Sequence, residues 1–375
     1  MLHVGLNLVF LTPGEQGGME TYARQLTRGL AARDDLRLTA FVNRDAAGAD
    51  WGPGVEEVVV PVVARDRKQW VYGDQVLVPR LAAKARIPLV HSLASTSPLA
   101  GPFRRVTTIH DLNYKLVPDT HFGLRGKVMG LLVPAAARRS HRVIVDASST
   151  RDDLVEHLRV PAGKVDVVPL GVNPVPDVAV TPEAELRAEL DLGDRPVLLT
   201  VSAKRPHKNL ARLIEAHARL PAPRPVLVLP GYPTPYEAEL RALAQRLGTT
   251  ADLRFPAWVS LEQLEGLYAL AEVFAFPSLY EGFGLPPLEA MARGVPVLTS
   301  DRGSLAEVVG DAALVVDPES VDALAAGLAR LLGDGAQRDR LRALGRQRAA
   351  GFRWERTAEL TAAAYRRTMG SAVDR

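Results

Sequence analysis

The chain has 375 residues, 47% apolar and 24% charged, an ordinary globular composition that suits two domains of about 150–200 residues better than one. It contains no cysteine, which excludes disulfide scaffolding, iron–sulfur clusters, thiolate metal sites and thiol nucleophiles. A formal net charge of +3 is too small to argue for nucleic acid. The opening residues, MLHVGLNLVFLTPG, lack the basic start and long apolar core of a secretory signal, and no run reaches the length of a membrane span, so the expected compartment is the cytoplasm.

Taken in order, residues 2–10 form a continuous apolar run, the pattern of a buried parallel strand. The loop LTPGEQGGME and a helix over about 20–32 follow. Strand, glycine-rich loop and helix together resemble a phosphate-cradling turn, but GEQGG is not the GxGxxG pattern. LRLTAFV and EEVVVPV read as strands, 67–85 as mostly helix, and 87–92 as a short strand. The run 104–112 reads as a strand ending in His110 and Asp111, which places the histidine at a strand's carboxyl end, either as a structural group or in a ligand crevice. Helix 128–138 and strand 141–148 come next, with Ser148 or Ser149 expected to cap a helix over 150–157. Basic residues gather at 125–142 (Lys127, Arg138, Arg139 and Arg142 among them), either as a solvated helix face or as a patch for anionic lipid headgroups or a phosphate-bearing acceptor.

The proline-rich segment 174–182 reads as an interdomain linker. Beyond it, 195–210 is strand, loop and helix start, with Lys204, Arg205, His207 and Lys208 in the loop. That cluster is either a solvated loop or a diphosphate clamp. Residues 225–231 form a strand ending in a glycine turn at Gly231, and 252–260 reads as another strand, followed by a helix with a Ser260–Gln263 capping box. Ser304 is expected to cap the helix containing Glu307, and 314–316 is the last strand. Helices over 321–332, 336–349 and 355–369 end the chain.

The most informative stretch is 278–300, SLYEGFGLPPLEAMARGVPVLTS, entered by the apolar strand FAFP. Gly282 and Gly284 allow a tight turn, 285–293 reads as a helix, and Gly294 stops it. Glu281 thereby lies at a strand's carboxyl end beside a helix N-terminus, where open parallel sheets hold ligands and N–H groups favour an anion. Glu281 and Glu289, eight positions apart, are either solvated flanks of a βαβ crossover or parts of a site.

Glu281, Gly282, Phe283, Gly284, Leu285, Pro286 and Glu289, followed by Ala290, Gly294, Pro296 and Val297, resemble the E-x7-E signature of the retaining, nucleotide-sugar-dependent glycosyltransferases of family 4. The likeness extends from Gly17 to about Glu359, and "HDL" at His110, Asp111 and Leu112 resembles the mannosyl- and rhamnosyltransferase-like branch. It implies an α/β GT-B architecture, two doubly wound Rossmann-like domains facing across a cleft. The acceptor-side domain would span 1–175 and the nucleotide-sugar domain 183–354, with helix 355–375 packing back on the first.

The implied activity is transfer of a hexose with retention, most specifically mannose from GDP-mannose, with UDP-glucose or a related donor as the alternative. A sugar-nucleotide-binding protein without catalysis is the competing class. The acceptor would be a glycan, a lipid-linked sugar or a small metabolite, with peripheral membrane contact as a corollary. The resemblance assigns Glu281 to the donor sugar, Glu289 to the ribose, Lys208 to the diphosphate and His110 to the sugar near the reacting centre. The family's usual phosphate arginine is displaced, leaving Arg205, or else Lys204, to substitute. Gly17, Gly18, Gly231, Gly282, Phe283, Gly284, Leu285 and Val259 complete the donor-binding set, the last lying in the segment 255–259 expected against the nucleobase. No metal is required by this scheme.

Overall fold

The computed structural model describes residues 1–15, 17–117 and 124–370, with side chains of the helix Leu124–Arg139 described from 128 onward. Gln16, the side chains of Arg125 and Lys127, and residues 371–375 of the anticipated terminal helix lie outside the described residues. The chain divides into two compact units, Met1–Gly171 with Arg353–Arg375, and Val172–Phe352.

The first unit is built on seven strands: β1 (Leu2–Leu8), β2 (Leu36–Val42), β3 (Glu56–Val59), β4 (Leu89–Ser92), β5 (Arg104–Thr108), β6 (Arg142–Val145) and β7 (Val165–Val167). They pair in the order β3-β2-β1-β4-β5-β6-β7, and every pairing is parallel. Val4, Leu6, Leu8, Leu89, Val106 and Val143 are fully buried, as strands covered by helices on both faces require. The helix Gly18–Ala31 meets the last helix, Trp354–Gly370, so closely that a Cβ at Gly29 would lie 2.9 Å from the Ala358 Cβ. Gly171 leaves room for Trp354, whose ring also lies 6.5 Å from that of Tyr22.

The second unit has six strands: β8 (Val197–Leu199), β9 (Val226–Val228), β10 (Leu253–Arg254), β11 (Ala271–Phe276), β12 (Val297–Ser300) and β13 (Leu314–Val316). Their order is β10-β9-β8-β11-β12-β13, again all parallel. Both orders are doubly wound, with reversal points between β1 and β4 and between β8 and β11. Among the described residues no helix is long and apolar enough to cross a membrane.

The run 67–85 is helical as expected, with a π-helical stretch, Gly73–Leu77, between Arg67–Tyr72 and Val78–Lys84. Several local expectations are corrected. The strand anticipated over 252–260 is only Leu253–Arg254, because Pro256 has no N–H to continue a ladder. The helix anticipated over 150–157 is Ser148–Leu158, with Ala147 at its N-cap; both serines already sit inside the first turn, so neither occupies the capping position. The Ser260–Gln263 capping box forms as expected. Arg142 is removed from the basic cluster by its paired hydrogen bonds to Asp166, while Arg138 and Arg139 stay exposed.

Candidate functional site

In the second unit, the loops after β8 and β11, the two strands flanking the reversal point, carry the charged residues. Asn209 adopts a left-handed conformation (φ 58°) at the start of the helix Leu210–Ala218. Its side-chain amide donates to the Pro277 and Pro318 carbonyls at 3.1 and 2.7 Å. The Leu279 N–H donates to the His207 carbonyl at 2.8 Å, so the two loops are stitched together by their backbones. This brings Lys208 Nζ to 2.5 Å from Glu281 Oε1, with both side chains mostly withdrawn from solvent at 17% and 13% exposure. The ammonium also lies 5.2 Å from the Phe276 ring centroid.

The Glu281 turn is held from its far side by residues that sequence reasoning did not single out for this role. A Cβ at Gly303 (φ +59°) would stand 2.5 Å from the Glu281 carbonyl oxygen, so only glycine fits there. The Ser304 hydroxyl does not cap its helix. It donates instead toward the carbonyls of Glu281 (3.0 Å) and Phe283 (2.7 Å). The reason is competition: the turn offers the hydroxyl two carbonyls, of which that of Glu281 also accepts from the Ser304 N–H at 3.2 Å. Gly284 (φ +103°) packs where a Cβ would meet Leu305 at 2.6 Å.

Gly282, Phe283, Gly284 and Leu285 are all buried, and the Phe283 ring is spent edge-on against Phe352 at 5.7 Å. What they can offer a ligand is backbone. The helix Leu285–Ala292 presents fewer donors than a generic helix start, because Pro286 and Pro287 carry no N–H.

The basic loop sorts into distinct roles. Lys204 is fully buried, its amine donating to the carbonyls of Gly231 (2.6 Å) and Pro256 (3.2 Å), with Glu237 at 3.7 Å. Burial pulls its pKa down, against the pull of Glu237. Lys204 is therefore a structural strut and is not available as the substitute phosphate ligand. Arg205 is exposed, and among the described residues its guanidinium has no hydrogen-bond or ion-pair partner. Gly231 (φ +138°) is compelled by closeness, since a Cβ would lie 2.1 Å from the Ser202 carbonyl oxygen. Its N–H donates to Ala257 (3.0 Å), which fixes the loop that carries an exposed Trp258 and half-buried Val259.

Glu289 is half-buried on the helix Leu285–Ala292, and among the described residues its carboxylate makes no hydrogen bond or ion pair. Burial pushes its pKa up, Glu265 adds to the rise and Arg293 opposes it. The carboxylates of Glu281 and Glu289 thus differ in kind: one is in direct contact with a lysine, and the other, among the described residues, feels Arg293 only at a distance.

In the first unit, His110 follows β5 and Asp146 follows the neighbouring β6. His110 Nδ1 donates to Asp146 Oδ2 at 2.7 Å and Nε2 to the Leu93 carbonyl at 2.9 Å. Both ring nitrogens face acceptors, an arrangement that suits an imidazolium. Burial alone would lower the pKa of His110, but the charge and hydrogen bond of Asp146 and the Leu93 carbonyl outweigh it and hold it above the ordinary value. Asp146 is itself 2% exposed, and its Oδ1 has no partner among the described residues. The Tyr22 ring stands edge-on to the imidazole at 4.8 Å. Asp146 was not anticipated. Its signal is the same as that for His110, a polar residue directly after an apolar strand.

Gly17 (φ +49°) and Gly18 are exposed at the start of the helix Gly18–Ala31, whose N-terminal end favours anions. Glu20 turns back to accept from the Gly14 N–H at 2.7 Å and pairs with Arg24, so it braces this loop. Near the carboxyl ends of β1 and β4, a buried Asp74 accepts from Asn7 (2.5 Å) and Gln75 (2.6 Å), and burial pushes its pKa up to about 6.

Comparison with known proteins supplies the family. Residues 182–348 match the model described as Glycosyl transferases group 1, and residues 16–175 match Glycosyltransferase Family 4. The O-antigen chain mannosyltransferase B of Escherichia coli is 34% identical over 269 residues, 70% of this chain and 70% of that protein. A GDP-mannose-dependent alpha-(1-6)-phosphatidylinositol monomannoside mannosyltransferase of Mycobacterium tuberculosis is 37% identical over 210 residues, 52% of each chain. Among solved structures, the sucrose-phosphate synthase of Thermosynechococcus elongatus superposes with a TM-score of 0.80 at 25% identity, covering 99% of this chain and 100% of that one. The chain belongs to the family 4 glycosyltransferases and has their GT-B fold.

Proposed function

We propose that this glycosyltransferase moves mannose from GDP-mannose, with retention, to a hydroxyl of a glycan, lipid-linked or small-molecule acceptor. The observation that carries the site is the Lys208–Glu281 pair, held by two stitched loops at the reversal point of the second sheet, with the unpaired groups Arg205 and Glu289 in the same unit. The choice of mannose rests on the HDL motif and on the two relatives named as mannosyltransferases. Residues 1–175 serve as the acceptor-side domain and 183–354 as the nucleotide-sugar domain in this reading.

Departure of the nucleoside diphosphate breaks the bond between the anomeric carbon and the phosphate oxygen, and negative charge grows on the leaving group. Lys208 and Arg205 neutralise that charge. Glu281 holds the sugar hydroxyls and stabilises positive charge at the anomeric carbon. The acceptor oxygen bonds to that carbon on the face the diphosphate leaves, and its proton passes to the departing diphosphate, so no protein base is needed. His110, as an imidazolium fixed by Asp146, donates to a sugar hydroxyl after giving up the Leu93 carbonyl. Glu289 accepts from the ribose hydroxyls, and the backbone near Val259 receives the base.

The test incubates the protein with GDP-mannose, UDP-glucose and related donors and follows nucleoside diphosphate release with and without candidate acceptors. Release of GDP from GDP-mannose is expected. Turnover of UDP-glucose in its place overturns the donor assignment, and absence of both release and binding for every donor overturns catalysis.

A further inference from the structure

Glu289 and Arg293 are four residues apart with the acid on the N-terminal side, the arrangement in which a helical acid–base pair forms most readily. That pair does not form. Arg293 turns to the helix Leu261–Leu270, where its Nε donates to Glu265 Oε2 at 2.7 Å and its Nη2 to Glu265 Oε1. This fork is 10% and 4% exposed. The remaining nitrogen, Nη1, donates to the backbone carbonyl of Glu289 at 3.0 Å, and the guanidinium lies 4.8 Å from the Tyr268 ring centroid. Every nitrogen of Arg293 is committed, and none reaches the Glu289 carboxylate.

We propose that Glu265 is a positioning residue for donor binding: by sequestering Arg293 it keeps the Glu289 carboxylate open to the vicinal hydroxyls of the donor ribose. The inference rests on the assignment of Glu289 to the ribose. Two neutral hydroxyls are weak competitors for a carboxylate beside a free guanidinium, because a charge-assisted fork is the stronger interaction. A buried carboxylate with both oxygens matched to the fork keeps the arginine away without leaving a charge unpaired.

The test is calorimetric titration of the full chain with GDP and with UDP, alongside donor KM and kcat. Glu265→Gln releases Arg293 and is expected to weaken nucleotide binding about tenfold and to raise donor KM, with kcat at saturating donor unchanged. The double variant Glu265→Leu with Arg293→Met removes both charges together and is expected to bind nucleotide within about twofold of the parent; the raised KM with unchanged kcat in Glu265→Gln is the split that a merely structural role, which lowers the amount of active protein, does not produce. Unchanged affinity in Glu265→Gln, or a double variant as weak as the single one, overturns the proposal. Because the double variant removes the buried pair as a unit, a double variant that folds yet binds nucleotide weakly overturns the proposal even where the single variant fails to fold. Glu289→Gln separates the premise: if it binds nucleotide like the parent, the ribose assignment falls and takes this proposal with it. If it binds weakly while Glu265→Gln does not, the proposal falls alone.

Discussion

The six strands of the second unit repeat the order of the first six of the first, but His110 and Asp74 in the first unit and Glu289 and Arg205 in the second are left in different states. In the first, His110 is saturated by its own chain, one nitrogen on Asp146 and the other on Leu93, and Asp74 is wrapped by two amide donors. In the second, Glu289 and Arg205 make no side-chain hydrogen bond or ion pair among the described residues, and the Lys208–Glu281 pair retains acceptor and donor capacity toward a ligand. A group satisfied in the free protein must break a bond to meet substrate, whereas an uncompensated one gains on binding. Under the proposed function, the second unit would supply affinity for an anionic, hydroxyl-rich ligand and the first the placement of a charge.

The strongest challenge to this contrast is Glu281→Gln, which keeps the shape of the turn and removes the charge. Loss of the principal electrostatic partner of the reacting sugar is expected to lower kcat by about 10³-fold, with GDP affinity nearly unchanged; steady-state kinetics beside calorimetry check both. Asp74 sharpens the other side. Its folded pKa of about 6 exceeds the ordinary carboxylate value of 3.8, so the native state binds the proton more tightly than the unfolded chain. Stability must then fall as pH rises from about 4 through about 6, by up to about 3 kcal/mol. Denaturant titrations across that range should show the slope, and Asp74→Asn should flatten it.

Asp146→Asn tests whether His110 acts as a fixed charge. The pair holds the His110 pKa above 6.5, so the imidazolium persists below that value and is lost as pH rises through the folded one. The variant is expected to lose about 30-fold in kcat/KM, roughly 2 kcal/mol. Its activity should decline with rising pH at a lower pH than in the parent, read from a pH–rate profile. The smallest effect separates neighbours in one loop. Arg205→Ala should weaken GDP binding about tenfold, about 1.4 kcal/mol, without changing the thermal midpoint. Lys204→Met should instead lower the midpoint, because two buried carbonyls lose their donor.

Much of the architecture was legible because it depends on local patterns. Apolar runs of strand length, bounded by Gly and Pro, located most of the strands, and the Ser260–Gln263 box was readable because a cap and its partner lie three residues apart. Some assignments failed because a distant group competed for a side chain. Ser304 is placed like a helix cap, yet it serves the Glu281 and Phe283 carbonyls. Lys204 and Arg205 are adjacent basic residues, of which the sequence favours Arg205 with Lys204 as the fallback, and only the fold buries one and exposes the other.

The sequence by itself determined the alternation of strands and helices, the glycine turn and the E-x7-E spacing, because backbone sterics and helical period act over a few residues. The tertiary structure alone decided which charges are spent and which are open: Lys208 meets Glu281 across 73 positions, His110 meets Asp146 across 36, and Arg293 chooses Glu265 across 28 over Glu289 at four. Charge pairing depends on burial and on distances of a few ångströms, quantities that spacing along the chain does not contain.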